Sequence, residues 1–204
     1  MDLSQYESLP AAAESRHQLG LEDKLTAGFT GHIYPGRGAD LLFELAKRMP
    51  DVNFLWVGGR PEDVNHWRSQ LADAGVSNVT MTGFVENSRL PLYQSAADVL
   101  LMPYGRSIAA SSGQDIAEVI NPMKMFDYMA AGRAIISADL PVIHEVLNDD
   151  NAVFCEPGNV ELWESTLHEL LADEPRRRAL GAQAREDVAE YTWVARAKRA
   201  LKGF

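Results

Sequence analysis

From residue 25 onward, short apolar runs recur along the chain. Each ends in glycine, proline or a polar turn, after which the apolar positions take up helical spacing. LTAGFTGH (25–32) is the first run; YPGRG follows, and ADLLFELAKRM then reads as a helix. NFLWVGG (53–59) repeats the form, and Pro61 suits the first turn of a helix running to about Ala74. VTMTGF (79–84), VLLMPY (99–104), AIISAD (134–139) and AVFCE (152–156) are further strand candidates. Between them, ENSRLPLYQSA and LPVIHEVL read as short helices, and PMKMFDYMAAG as a helix begun by Pro122 and stopped by Gly132. Residues 159–204 read as helical with charged faces. Residues 1–24 are polar and Ala-rich without a strand signal, and are expected to be a lead-in linker with a short helix before a domain spanning 25–204.

Strands buried on both faces need continuous apolar runs, and parallel strands need helical crossovers. The pattern therefore predicts an α/β fold: a doubly wound, Rossmann-like parallel sheet of about six strands. In such sheets ligands sit beyond the carboxyl ends of the strands. Four of those ends, at 31–38, 58–60, 83–86 and 103–121, carry Gly, Pro or polar residues, which is where chemistry is expected.

Composition narrows the function classes. The 204 residues carry a net charge of −10, which speaks against a nucleic-acid partner, since neutralising phosphates takes a basic face. A local positive site for a small phosphate ligand is still compatible with an acidic chain. Cys155 is the single cysteine, so no intrachain disulfide can form, which suits the cytoplasm. The apolar runs fall far short of the ~20 residues of a membrane span, and MDLSQYESLPAAAESRH lacks the basic start and apolar core of a signal peptide. A cytoplasmic location is expected.

Two stretches carry candidate anion chemistry. In TGHIYPGRG, Gly31, Gly36 and Gly38 allow close backbone approach and positive φ. Arg37 stands just before a helix start, where a guanidinium could clamp a phosphate, and His32 could add a donor. Alternatively the glycines only make a tight turn and Arg37 is solvated. In NPMKMFDYMAAGRAII, Asn121 can cap a helix whose first position suits Pro122. The N–H groups of Met123 and Lys124 would then open outward as an anion site, with Lys124 adding charge. Asp127, one turn on, could accept two hydrogen bonds from vicinal hydroxyls such as those of a ribose. The plain alternative is a solvated Lys124–Asp127 ion pair at i, i+3. Met123, Met125 and Met129 are expected in the core. The long stretch 105–120, with Ser111, Ser112, Gly113 and Gln114, offers hydroxyls and amides to a sugar, or is a surface loop.

Other chemistries lack their signatures. The five histidines show no metal-ligand spacing, so no metal site is expected. There is no Gly-x-x-x-x-Gly-Lys-Ser/Thr loop, no Gly-x-Gly-x-x-Gly after the first strand and no Gly-x-Ser-x-Gly elbow.

The order of the pieces TGHIYPGRGADLLFELA, NFLWVGG, VTMTGFV, LPLYQSAADVLLMPY, PMKMFDYMAAGRAIISADLPVIHEVL and YTWVARAKRAL is more specific than any one of them. From about Leu25 to its end the chain resembles the C-terminal, donor-binding domain of retaining glycosyltransferases of the GT-B fold, the large group that includes sucrose-phosphate synthases and bacterial mannosyltransferases. That resemblance implies a nucleotide-diphospho-sugar donor, UDP-sugar (for example UDP-glucose) ahead of GDP-sugar, with no cofactor and no metal. It implies Arg37 and Lys124 as the catalytic charges, with His32, Arg37, Met123 and Lys124 on the diphosphate and Asp127 on the ribose. Gly83, Phe84 and Val85 would meet the base, and Ser112, Gly113, Asn121 and Pro122 the sugar. His32 stands where the family usually has Arg. Val119 stands where it has the first of its two glutamates, with Glu118 one place off, so the polar contact of that glutamate to the sugar is lost.

The resemblance further implies an N-terminal domain, absent here, that would hold a saccharide or lipid-linked acceptor and make any membrane contact. The segment ESRHQLGL resembles the start of such C-terminal domains, which favours a piece of a longer chain over a lone domain. Such a piece alone would bind donor but transfer sugar weakly or not at all, in polysaccharide or glycoconjugate synthesis. Two rivals stay open. A non-hydrolysing nucleotide-sugar epimerase shares the architecture but needs catalytic carboxylates and a His in its cleft. A non-catalytic nucleotide-binding or receiver-like module needs an acidic cluster after its first strand, where this chain has Gly31-His32.

Overall fold

A computed structural model describes residues 1–34, 37–107 and 122–201. Its six strands are β1 (Thr26–Thr30), β2 (Asn53–Val57), β3 (Val79–Met81), β4 (Val99–Met102), β5 (Ala134–Ala138) and β6 (Val153–Cys155). All are parallel, in the order β3-β2-β1-β4-β5-β6. This is the doubly wound arrangement, in which strand order reverses between β1 and β4. β1, β4 and β5 are buried along their whole length, as strands covered on both faces must be.

Eight α-helices are described: α1 (Ala12–Leu19), α2 (Ala39–Arg48), α3 (Pro61–Asp73), α4 (Leu90–Ser95), α5 (Met123–Ala131), α6 (Val160–Ala172), α7 (Glu174–Asp187) and α8 (Trp193–Leu201). Helical spacing puts Leu41, Leu42 and Leu45 of α2 into the core and leaves Asp40, Lys47 and Arg48 outside it. Tyr128 of α5 is fully buried, and its hydroxyl accepts from the Thr30 N–H at 2.7 Å, tying α5 to the end of β1.

The lead-in packs onto this body. Ser15 of α1 meets Ser95 of α4 at 2.7 Å. The buried Arg16 guanidinium bonds Asp23 and Asp98, and Asp98 in turn accepts from the Thr26 N–H at 2.8 Å. This ion cluster, with Arg16 buried and Asp23 exposed at its edge, fixes α1 against the starts of β1 and β4.

The structure corrects several boundaries. β3 stops at Met81; beyond it Gly83 turns at φ 70° and makes an isolated bridge to Gly58. The segment expected as a helix after β5 forms only a 3-10 turn, Ile143–Glu145. Pro122 is extended (φ −74°, ψ 108°) and caps α5 rather than beginning it, so the helix opens at Met123. Met125 and Met129 are in the core, but Met123 is 51% exposed at that opening. Among the described residues no helix is long and apolar enough to cross a membrane.

Candidate functional site at the carboxyl edge of the sheet

The reversal between β1 and β4 leaves a crevice at their carboxyl ends, and glycines set its floor. The Gly31 N–H donates to Val57 O at 2.8 Å, and the Gly58 N–H to Gly83 O at 2.9 Å. These bonds draw the ends of β1, β2 and β3 into one backbone surface. Two positions there admit no side chain. A Cβ on Gly58 (φ 109°) would lie 2.6 Å from Gly31 O, and one on Gly38 (φ 89°) only 1.9 Å from Pro103 O. The Gly38 contact presses the turn before α2 against the end of β4 across the crevice.

α5 opens into the same place. Pro122 has no N–H to offer, and its carbonyl is taken by the Met125 N–H at 2.9 Å. The N–H groups of Met123 and Lys124 have no acceptor among the described residues, as the first turn of any helix leaves them. With the helix dipole behind them they form an anion-seeking end.

Two cations converge on this opening. The Lys124 amine lies 3.9 Å from the ring centre of Phe29 and 5.4 Å from that of Tyr104. It also touches the turn after β1, since a Cβ on Gly31 would be 3.0 Å from it. The Arg37 guanidinium lies 5.9 Å from the same Tyr104 ring and 5.2 Å from that of Tyr34, whose hydroxyl accepts from it at 3.2 Å. Its Nε is buried without a partner among the described residues. The two positive groups therefore share one aromatic wall.

Burial of the amine, and the Arg37 charge beside it, push the Lys124 pKa down from 10.5 to about 7. No carboxylate among the described residues offsets that shift, although Lys124 as a whole is only half-buried. The Tyr104 hydroxyl is pushed up to about 12, by burial against the counter-pull of Arg37.

The remaining sequence-derived candidates are distributed as follows. His32 is exposed and stacks on Tyr34, ring centres 5.4 Å apart. Asp127 does not pair with Lys124. The amine turns to Phe29, and the half-buried carboxyl faces Tyr6 of the lead-in. Burial raises the Asp127 pKa, and hydrogen bonding to Tyr6 and the charge of the chain's amino group draw it back down. Gly83 shapes the end of β3; Phe84 projects from it, 82% exposed, while Val85 turns inward onto Leu55, Val57 and Ala96. Ser112, Gly113 and Asn121 lie outside the described residues, as does Gly36. Among the described residues no three His, Cys, Asp or Glu side chains gather as metal ligands.

Sequence reasoning missed the aromatic wall of Phe29 and Tyr104 and the approach of Tyr6 to Asp127. Phe29 reads as one more apolar residue of a strand, and Tyr104 as the end of another; only the pairing of β1 with β4 brings them together. A cavity of about 680 Å³ lies at the opposite edge, where Leu25 and Val52 lead into β1 and β2 and Arg48 bonds Glu161 and Glu164. It shares no residue with the convergence of cations.

A doubly wound sheet with a crevice at its reversal point defines a class: open α/β domains of the Rossmann-like kind. Comparison with known proteins narrows it. The structure superposes on the Anabaena HepE protein solved in complex with UDP and glucose, with a TM-score of 0.81, 16% identity, and coverage of 100% of this chain and 54% of that one. It also superposes on the C-terminal domain of a glycosyl transferase group 1 family protein (LpcC) from Francisella tularensis, with a TM-score of 0.76, 17% identity, and coverage of 95% and 99%. These likenesses establish the fold as that of a GT-B C-terminal domain. In sequence, the chain is 30% identical over 185 residues to the D-inositol 3-phosphate glycosyltransferase of Xylanimonas cellulosilytica, 87% of this chain and 42% of that protein. The model of the glycosyl transferases group 1 family matches residues 24–173, and the chain belongs to that family. It spans less than half the length of the curated relatives it matches.

Proposed function

We propose that the chain is the donor-binding domain of a glycosyltransferase that grips a nucleotide-diphospho-sugar, UDP-sugar in preference to GDP-sugar, by its pyrophosphate. The observation that carries this reading is the meeting of Arg37 and Lys124 on the Tyr104 ring, beside the open N–H groups of α5. Like charges are brought together at a cost, and an anion between them relieves it. Family membership and the UDP held by the structurally similar HepE protein support a uridine donor.

In this reading the pyrophosphate lies over the start of α5. Met123 and Lys124 offer it backbone N–H groups, while Lys124 and Arg37 offer side-chain charge. Asp127 takes the ribose hydroxyls, the surface around Gly83 and Phe84 meets the base, and His32 stands at the rim. As the glycosidic bond to the sugar breaks, negative charge grows on the leaving β-phosphate. Donors already aimed there stabilise that charge without reorganisation, the largest single term in many enzymes. Arg37 and Lys124 thus supply what a divalent cation supplies elsewhere, and the mechanism is metal-independent. An acceptor domain outside these residues would present a saccharide or lipid-linked acceptor, in polysaccharide or glycoconjugate synthesis in the cytoplasm.

A thermal-shift panel of UDP, GDP, ADP and their sugars tests the donor, with uridine nucleotides expected to stabilise most. Calorimetry with UDP tests the grip: Arg37→Ala should weaken binding about tenfold or more, the scale of one charge-assisted hydrogen bond. An unchanged affinity would refute the site.

A further inference from the structure

The charge of Arg37 reaches the crevice on a short stretch of chain that is fastened at its near end. The Ile33 carbonyl accepts from the indole N–H of Trp67 on α3 at 3.1 Å. That indole packs against Trp56 and Phe43, ring centres 5.9 Å away in each case. The Ile33 side chain is buried over Gly59, where a Cβ would come within 3.1 Å of it. Tyr34 therefore starts from a fixed point, and from there it meets Arg37 twice. The Arg37 N–H donates to Tyr34 O at 3.2 Å, and Nη2 of the guanidinium donates to the Tyr34 hydroxyl, also at 3.2 Å. The guanidinium carbon stands 5.2 Å from the centre of the Tyr34 ring, on which His32 stacks at 5.4 Å.

The kind of partner matters. An arginine held by a carboxylate shares its charge with that carboxylate, and a phosphate then has to displace it. Among the described residues no acid pairs with Arg37. A phenol oxygen is a neutral acceptor, so it orients the guanidinium fork and leaves the charge whole. With Nη2 on Tyr34, the Nε–H is buried and has no partner among the described residues. A buried donor without an acceptor raises the free energy of the empty site, and a phosphate oxygen in the crevice supplies the acceptor.

We propose that Tyr34 is a positioning residue for the diphosphate grip: its hydroxyl holds the Arg37 guanidinium at the crevice before the donor arrives. Less side-chain freedom is then lost when a phosphate oxygen binds. The inference rests on the phosphate reading of Arg37. Tyr34 touches no ligand in this scheme and acts only through the guanidinium.

The test is a double-substitution cycle in the 204-residue chain, with UDP affinity read by calorimetry in the unsubstituted protein, Tyr34→Phe, Arg37→Ala and the double variant. Tyr34→Phe keeps the ring and removes the hydroxyl. It should weaken UDP about threefold to tenfold, the scale of one side chain that must be immobilised on binding. In the Arg37→Ala background the same change should do nothing, because the group it holds is gone. Equal weakening in both backgrounds overturns the proposal, since Tyr34 would then act on the ligand or on the fold directly. Weakening by Arg37→Ala with no effect of Tyr34→Phe overturns the role of Tyr34 and leaves the phosphate reading standing. An Arg37→Ala chain that binds UDP as tightly as the parent overturns the phosphate reading, and this inference with it. Should Tyr34→Phe fail to fold, NMR of the unsubstituted chain decides: the Arg37 Nη2 group, held by the hydroxyl, should rotate about its Cζ–Nη2 bond more slowly than that of the exposed Arg60. Rotation as fast as at Arg60 overturns the proposal.

Discussion

Lys124 titrates at about pH 7 because its amine is walled in by Phe29, Tyr104 and the turn at Gly31, with Arg37 beside it. At pH 7 about half of the free molecules therefore carry it uncharged. A bound pyrophosphate favours the charged form and returns the amine toward its ordinary range, so binding takes up a proton. The sign follows from linkage: affinity rises as pH falls, because protonation is then already complete before the ligand arrives. For a bound-state pKa of about 9 or above, affinity should drop about tenfold between pH 6 and pH 8, or about 1.4 kcal/mol.

UDP-glucose is the suitable ligand, since its pyrophosphate diester keeps a constant charge over that interval. Calorimetry in two buffers of different ionisation enthalpy should report uptake of about half a proton at pH 7. Lys124→Met should abolish both the uptake and the slope. A flat affinity from pH 6 to pH 8, or a slope that survives Lys124→Met, would refute the reasoning.

Other consequences follow from the same geometry. Arg37→Ala removes the charge that helps depress Lys124, so the residual pH dependence of UDP-glucose binding should move to higher pH; an unmoved midpoint would separate the two cations. In the free chain the lowered Lys124 pKa opposes folding fully below about pH 7, and this penalty fades as pH rises toward 10.5, where the unfolded chain also loses the proton. Lys124→Met should thus raise the thermal midpoint at pH 6.5 more than at pH 9.5, and equal gains would contradict the burial argument. Gly38→Ala should destabilise by about 3 kcal/mol or more, since a Cβ 1.9 Å from Pro103 O forces the α2 turn off β4. Gly83→Ala, at a positive φ but with nothing within 4 Å, should cost about 1–2 kcal/mol. Urea titrations of the pair showing equal losses would refute the close approach at Gly38.

The sheet was legible because its signal is local. Apolar runs such as AIISA and VLLM are buried end to end, and the order of their crossovers leaves few topologies open. Gly132 ends α5 in a left-handed turn, as its position after an apolar helix suggested. The helix start was misplaced by one residue, because proline is compatible both with a first helical position and with the extended cap it adopts at 122.

Within the site, Arg37, Lys124 and the α5 opening could be listed from sequence because turn and helix-end chemistry is local. What each charge rests on could not. The i, i+3 spacing of Lys124 and Asp127 suggests a surface ion pair, yet the amine turns to Phe29 and the carboxyl to Tyr6, partners 95 and 121 positions away in the numbering. Those neighbours are set by strand order and by the docking of the lead-in, which no window of sequence contains.

The central claim is that the ligand lies at the carboxyl edge, between Arg37 and the opening of α5. Titrating UDP-glucose into the ¹⁵N-labelled chain and following amide resonances tests it most directly. The amides of Gly31, Met123 and Lys124 should shift together and saturate with a single affinity. Shifts confined to the opposite edge, around Arg48, Val52 and Glu161 beside the 680 Å³ cavity, would contradict it.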